Sequence, residues 1–579
     1  MNLSKITCLA FLFLFFSGFC YPRHAINQKP DVFMRKYLSP TRIVWQSDTS
    51  EKYIVNSGKL LEQGNGQADL VGENLCLLKG GDKVNSAVLL DFGKEIHGGI
   101  QVVAGMHPEN LPVRVKITLG ESVSEAMSEV ERSTATNDHA IREFEILVPW
   151  LGAIEIGNSG FRFAKIELMD QRRVLHLKEV RAIAVQRDIP WLGSFKSSDE
   201  RLNQIWQTGA YTVHLNMQDY LWDGIKRDRL VWVGDMHPEV MTILAVFGYN
   251  EVVPKSLDLI RDITKLPEYM NGISSYSMWW VLVHYQWYIN NGDVAYLQEN
   301  EAYIYDLLDF LEKKIDANGK EILDGHRFLD WPTSPNTEAI HAGLQSMMVM
   351  TFDAGLKIAT LFKNKEKAAQ YTQTVQLLKK HIPDPDNNKS GAALLAISGL
   401  KDAKTVNEKL LAVNPTDGIS SFYGYYVLQA RAMAGDYKGA LDVIRKYWGG
   451  MLDLGATTFW EDFDLNWMEN AGRIDEITPA GKVDVHAQYG DYCYVGLRNS
   501  LCHGWASGPT AWLTEHVLGV KVLEAGCRKI KIEPNLGDLK WVEGTYPTPQ
   551  GVVYVRHEKR SDGSIKTIIK APKGVGVVR

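Results

Sequence analysis

"SSDERLNQIWQTGAYTVHLNM", residues 197–217, is where the hydrophobic period of this 579-residue chain changes. Within it Leu202, Ile205 and Trp206 recur at helical spacing, and Ser198 or Asp199 offers the side-chain oxygen that caps a helix start. Before it, from about Ser86 to Met169, apolar and polar residues alternate in short runs: "NSAVLLDFG", "GGIQVVAG", "VRVKITLGE", "REFEILVPW" and "GFRFAKIELMD". Such runs, rich in Val, Ile and Phe and broken by Gly, Asn or Pro, indicate an antiparallel β-sandwich. A boundary near residue 190 follows.

After it, helical patterns recur for more than three hundred residues, among them "PEVMTILAVFGY", "SMWWVLVHYQWYINN", "NEAYIYDLLDFLEKKI", "MMVMTFDAGLKIATLF" and "KGALDVIRKYWGG". Many end in Gly or Asn, as helices that turn back do. The pattern repeats but the sequence does not, so a solenoid of fixed period is not indicated, whereas helical hairpins closed into a toroid account for it. Beyond about Leu518 β-runs return in "RKIKIEPN", "GVVYVRHEKR" and "SIKTIIKAP". The expected fold is multidomain α+β: a signal peptide over 1–24, an N-terminal β-sandwich over 25–190, a toroid of helical hairpins over 191–517 and a small C-terminal β-domain over 518–579.

A chain of this length exceeds one hydrophobic core and predicts two to four domains. Its formal net charge of -6 gives no basic excess, which disfavours nucleic acid as a partner. Its sixteen tryptophans are informative, because indole rings not needed for packing are commonly spent on a ligand surface such as a sugar face. At the start, "MNLSKITCLAFLFLFFSGFC" places Lys5 before an apolar run too short to span a bilayer, the pattern of an export signal to the periplasm or cell exterior. Cys20 is a candidate lipid attachment site, although Phe19 before it is bulky for that role. No other segment reads as membrane-spanning. The remaining Cys76, Cys493, Cys502 and Cys527 fit no zinc-binding spacing, and leave room for one disulfide near the carboxyl end. "DVHAQYGDYCY" matches no metal signature, and "GNGQADLVGENLCLLKGG" lacks the lysine-serine or lysine-threonine ending of a phosphate loop. Neither metal nor cofactor is expected, and oligomeric state has no sequence signal.

Just after the change of period, "DGIKRDRLVWVGD" at 223–235 sets Asp223, Asp228 and Asp235 around Trp232. A tryptophan plate among carboxylates is the equipment that holds a sugar ring and its hydroxyls. A structural alternative stands beside it: Asp235 caps the helix that begins near Pro238, while Asp223 and Asp228 pair with Lys226, Arg227 and Arg229. Hydrolysis of a glycoside needs a second carboxyl group, one to protonate the leaving oxygen and one to activate water or attack. "GATTFWEDFDLNW" at 455–467 offers Glu461 between Trp460 and Phe463, with Asp462 and Asp464 as rivals.

In register, Asp223, Asp228, Trp232 and Asp235 resemble the signature of the α-L-rhamnosidases of glycoside hydrolase family 78. Arg227 matches the arginine before that family's acid, "TTFWED" resembles the segment carrying its base, "SLCHGWASGPTAWL" resembles its Ser-Leu-x-His block, and "FLDWP" an Asp-Trp element of its sugar subsite. The resemblance implies an (α/α)6 toroid and an inverting hydrolase removing terminal α-L-rhamnose, with Asp228 as general acid and Glu461 as general base. It also implies sugar contacts from Asp223, Arg227, Trp232, Asp235, Asp330, Trp331 and His503, with Trp505 as a nearby wall. Trp287, on a helical face with Trp280 and His284, is a further sugar-contact candidate, although such a stripe also suits a core. Three positions depart from the pattern: Asp228 stands where the family usually has glutamate, and Gly224 and Ile225 where Cys-Pro is frequent. The shorter side chain requires an advanced loop or a shifted substrate. Two other readings share these residues: a hydrolase or lyase acting on another sugar such as a uronate, and a carbohydrate-binding protein without catalysis.

Overall fold

The structure, a computed structural model, describes residues 33–579 apart from 71–73, 82–84 and 493. The signal segment over 1–24, Cys20 and Cys493 lie outside the described residues.

The amino-terminal region is an antiparallel sheet of nine strands. Its spine runs Ile54–Val55, Cys76–Lys79, Val174–Arg187, Ala87–Ala104, Gly152–Leu168, Val113–Gly120 and Glu143–Val148, with Phe33–Leu38 and Arg42–Gln46 paired alongside. Alternation in the sequence becomes alternation of faces: Val113, Val115, Ile117 and Leu119 all point into one core with Phe161, Ile166 and Leu177. The long strands do not stay flat. Register between Ala87–Ala104 and Gly152–Leu168 slips at Asp91/Ile96 and again at Gly98/Ile100, and such bulges bend a strand and let a sheet fold over its own core.

The helices that follow form two concentric rings. Met236–Val246, Ser274–Asn291, Thr337–Leu361, Lys389–Ile397, Gly424–Met433 and Gly508–Trp512 each pack on the next in chain order, and the last packs on the first. Between them the chain returns along outer helices such as Glu200–Asn216, Val252–Ile263, Lys365–Leu378 and Tyr437–Asp453. Ring position follows composition. Ser274–Asn291 buries Trp279, Trp280, Val281 and Val283 at successive angles and must be enclosed, whereas Val252–Ile263 buries one face, Val252, Val253, Ser256, Leu257 and Ile260, and exposes Lys255 and Asp262. Asp199 caps the first outer helix, its carboxylate accepting from the Arg201 and Leu202 amides.

The carboxy-terminal strands make a three-stranded sheet (Val520–Glu524, Lys529–Ile532, Gly576–Val578) and a four-stranded one (Ser194–Ser197, Trp541–Thr548, Gly551–Lys559, Ile565–Lys570). Ser194–Ser197, which sequence pattern assigns to the start of the helical region, is thus the edge strand of the carboxy-terminal sheet, drawn there as buried Phe195 stacks on Trp206. Cys76, Cys502 and Cys527 are buried free thiols, so the last two do not form the disulfide for which the sequence leaves room. Among the described residues no helix is long and apolar enough to cross a membrane, and no group of three or more His, Cys, Asp or Glu is placed to hold a metal ion.

Candidate active site

A cavity of about 370 Å³ opens where the inner helices begin, lined by Asp223, Arg227, Asp228, Trp232, Asp235, Tyr276, Trp331, Glu461 and His503, among others. That volume falls within the range of roughly 300–1,000 Å³ typical of small-molecule sites. A larger cavity of about 460 Å³ lies toward the opposite ends of the same helices, but its lining of Met241, Met350, Met433, Tyr425 and others includes one carboxylate, Glu515, and so lacks the pair of carboxyl groups that glycoside hydrolysis uses.

The 223–235 segment is a closed loop. Asp223 N–H donates to Leu230 O at 3.1 Å, and Leu230 N–H returns a bond to Asp223 Oδ1 at 3.0 Å. Its entry is pinned to the amino-terminal sheet, since Gly160 N–H donates to Ile225 O at 2.9 Å. A Cβ at Gly160 would come within 2.7 Å of Ile225, so the close approach requires glycine there. At the loop's crest Asp228 and Arg229 both take left-handed backbone, with φ 52° and 57°. Aspartate enters that region more readily than glutamate, which gives the shorter acid at 228 a backbone rationale. Trp232 Nε1 donates to Asp228 Oδ2 at 3.0 Å, and His139, from the amino-terminal domain, stands 3.5 Å from Asp228 Oδ1.

Glu461 comes from the opposite wall. Its amide donates to Ser500 O at 2.9 Å, and the Ser500 amide lies 3.3 Å from Glu461 Oε2. Arg227 donates through Nη2 to Glu461 Oε1, while its Nε is 3.6 Å from Asp228 Oδ1. Arg227 therefore lies between the two catalytic candidates. His503 occupies the floor: its Nε2 is 3.3 Å from Glu461 Oε1, 3.7 Å from Asp223 Oδ2 and 3.8 Å from Asp235 Oδ2. Asp235 also accepts from Tyr276 OH at 2.8 Å.

These environments separate the carboxyl groups. Burial, reinforced by the charges of Asp228 and Asp235, raises Asp223 well above the usual carboxylate range. Burial likewise pushes Asp235 up to about 7, against the pull of His503 and Tyr276. Burial would raise Glu461 too, but the Arg227 and His503 charges, with the His503 and Ser500 hydrogen bonds, outweigh it and bring Glu461 below the usual range. The site therefore keeps one buried carboxylate ionised beside others that favour their protons.

The family model for the bacterial α-L-rhamnosidase six-hairpin glycosidase domain matches residues 190–397, and that for the bacterial α-L-rhamnosidase C-terminal domain matches 519–578. An α-L-rhamnosidase of Formosa agariphila is 22% identical over 494 residues, 76% of this chain and 49% of that protein. The chain carries segments like the six-hairpin and C-terminal domains of bacterial α-L-rhamnosidases. It spans about half the length of the curated relatives it matches. Among solved structures, the family 78 rhamnosidase of Bacillus sp. GL1 superposes with TM-score 0.71 at 22% identity, covering 88% of this chain and 54% of that one. A Klebsiella oxytoca rhamnosidase solved with rhamnose bound gives 0.65 at 20% identity, covering 83% and 96%. At such identities these superpositions establish the fold alone.

In this rhamnosidase-like chain, the loop aspartates, Arg227 and Trp232 fall inside the matched six-hairpin segment, whereas Glu461 and His503 lie beyond it; the fold brings the two groups together. The capping alternative for Asp235 does not describe the loop, since its side chain makes no cap bond and faces Tyr276 and His503. Nor does Lys226 pair with Asp223 or Asp228; its ammonium turns to Glu121 and Glu125. Trp331 lines the cavity, with Tyr492 stacked on it at 5.9 Å.

Two candidates need correction. Trp287 is not at the cavity: it is 1% exposed and packs on Tyr249. It sits eleven residues beyond Tyr276 on one helix, about 16 Å along the axis at 1.5 Å per residue, and the cavity is at the other end. Asp330 is also buried and does not line the cavity. It accepts from the Ser420 and Ser390 hydroxyls and the Thr333 amide, so it braces the turn that presents Trp331. Sequence reasoning missed Tyr276, His139, Arg498 and Tyr494 on the walls, and buried Glu239, one turn past Asp235. Only Tyr276 had a local signal, its place in the aromatic run "SSYSMWWVLVHYQWY".

Proposed function

We propose that this chain is an inverting glycoside hydrolase that removes terminal α-L-rhamnose from glycans or glycosides, with Asp228 as general acid and Glu461 as general base. The observation that carries the reading is that both side chains line one sugar-sized cavity with Arg227 between them. Inversion requires roughly 6.5–9.5 Å between carboxyl groups against about 5–5.5 Å for retention, and the choice of inversion here rests on the resemblance of the loop and of the Glu461 segment to the family's acid and base blocks. Choice of α-L-rhamnose follows the rhamnosidase domain models and relatives. The substrate proposed is a carbohydrate.

Each residue then has a chemical task. Asp228, at the cavity wall and bonded by Trp232, delivers a proton to the glycosidic oxygen as the bond to the anomeric carbon lengthens. Glu461, kept anionic by Arg227 and His503, removes a proton from the water that attacks the opposite face. Asp223 and Asp235 hold the hydroxyls of the bound sugar, and near neutral pH a protonated Asp235 donates as well as accepts. Trp331 and Trp232 supply apolar walls for the ring's C–H faces. Export, resting on Lys5 and the apolar run after it, completes the proposal and is checked by fractionating cells that express the full chain.

Hydrolysis of an aryl α-L-rhamnoside by the wild type, Asp228→Asn and Glu461→Gln tests the reading, with proton NMR of the first sugar released. The expected result is a loss of about a hundredfold or more in both variants and β-L-rhamnose as the first product. Unaltered turnover in either variant removes that residue from the mechanism. α-L-Rhamnose as first product overturns inversion. Binding without turnover by the wild type across a panel of glycosides, uronides included, favours a carbohydrate-binding protein instead.

A further inference from the structure

Lys226 stands between the loop's buried entry and Arg227, yet it points away from the cavity. Its ammonium is buried among four oxygens: Leu497 O at 2.7 Å, Asn499 O at 2.8 Å, Glu125 Oε1 at 3.1 Å and Glu121 Oε2 at 3.2 Å. Two of these belong to the amino-terminal domain, at the end of strand Val113–Gly120 and in the short helix Val123–Met127. The other two belong to the segment beside the candidate base. We infer that Lys226 is a positioning residue through which the amino-terminal domain sets the place of Asp228 relative to Glu461. The inference rests on the acid and base assignment above.

The connections run in both directions from that ammonium. Toward the acid, Lys226 is two residues from Asp228, and the loop between has little slack because Arg229 Nη1 donates to Asn158 O at 2.9 Å. Toward the base, Glu121 Oε2 also accepts from the Leu501 amide at 2.6 Å, and Leu501 follows the Ser500 whose amide and carbonyl hold Glu461. Asn499, whose carbonyl Lys226 bonds, donates through Nδ2 to Asp462 O at 3.1 Å. One buried cation and one buried carboxylate thus tie the donor loop and the base segment to the same strand end.

Its electrostatic balance suits that task. Arg142 is 3.2 Å from Glu125, so Lys226 and Arg142 together match Glu121 and Glu125. A third carboxyl, Glu95, is driven toward its neutral form by burial and by those two glutamates. Buried ion clusters of this kind fix geometry sharply, because a displaced member leaves its partners uncompensated. Glu461 lies in a separate segment held by Ser500, Arg227 and His503, whereas Asp228, which Trp232, His139 and Arg227 contact, is only two residues from Lys226 on the same loop, so loss of Lys226 acts chiefly on the proton donor.

Leaving-group dependence separates a positioning role from a merely structural one. Dinitrophenolate departs without a proton, whereas an alkoxide needs one, so a misplaced donor slows alkyl rhamnosides far more than dinitrophenyl α-L-rhamnoside. Full-length Lys226→Met is expected to lose about a hundredfold in kcat on the alkyl substrate, as for a shift of about 1 Å. Its KM should stay within about threefold, and the loss on the dinitrophenyl substrate should be less than about tenfold. Glu121→Gln, which keeps an acceptor for the Leu501 amide, should show the same pattern more weakly and serves where Lys226→Met does not fold. Equal losses on the two substrates, or none, overturn the proposal. Asp228→Ala is measured in parallel: without leaving-group dependence there, the donor assignment itself has failed and the proposal falls with it.

Discussion

Arg227 donates through Nη2 to Glu461 and through the same guanidinium reaches Asp228, with its plane over the Tyr494 ring at 4.5 Å. A permanent cation here supports the charged form of the base, and its loss is expected to raise the proton affinity of Glu461 by about one to three pKa units. In Arg227→Gln the acid limb of kcat/KM should therefore move to higher pH, because the base is protonated earlier as pH falls. A pH–rate profile that keeps its acid limb in place would show that Glu461 is not the group titrating there.

Asp235 presents a conflict between stability and function. Its carboxyl is pushed up to about 7 in the folded protein, mainly by burial, whereas an unfolded aspartate titrates near 4. Between those values the native state retains a proton that the unfolded chain has released, so this group makes stability fall as pH rises. Asp235→Asn cannot ionise, keeps an acceptor for Tyr276 OH, and should gain stability over the wild type at pH 8 that vanishes below about pH 4. The gain is at most about 4 kcal/mol, at 1.36 kcal/mol per unit. Urea unfolding of both proteins at pH 5 and pH 8 measures it. KM of the variant should rise if Asp235 holds the sugar as proposed.

Trp232 has two proposed functions that one substitution separates. Phenylalanine keeps an aromatic face beside Tyr276 but removes the Nε1–H bond to Asp228. Trp232→Phe is expected to lower kcat about tenfold, the equivalent of one hydrogen bond to a charged group at about 1.5 kcal/mol, while leaving KM within about twofold. A rise in KM with unchanged kcat would mean that the indole serves the sugar and not the acid.

The legible part of the site is the part that is contiguous. Asp223, Asp228, Trp232 and Asp235 lie within thirteen residues, and a loop closed by its own Asp223–Leu230 bonds turns that sequence spacing directly into geometry. Glu461 was legible only as a carboxylate among aromatics until the family pattern singled it out, because its pairing with Arg227 spans 234 positions. His139 and the Glu121–Lys226 contact were not legible at all. They arise where the amino-terminal sheet docks on the ring, and no periodicity records which loop a docked domain presents. Charge composition misled at Lys226 for a related reason: the nearest carboxylates in sequence are not those in space.

A last prediction follows from Trp331 and Trp287, the loop tryptophan and the helix tryptophan that the sequence offers as sugar contacts. Trp331 sits on the cavity wall, held by Phe328 and Tyr492 and braced from below by Asp330. Trp331→Ala should raise KM about tenfold or more, with a smaller change in kcat, because an apolar face against the sugar is lost from ground and transition states alike. Trp287 lies at the far end of its helix, so Trp287→Phe should leave KM unaltered and instead destabilise the fold by about 1–3 kcal/mol through imperfect repacking. Steady-state kinetics and urea unfolding of both variants measure this crossed pattern. A KM effect at Trp287 with none at Trp331 would place the sugar toward the other mouth of the ring, in the cavity lined by Met241, Met350 and Tyr425, and would remove Asp228 and Glu461 from the chemistry.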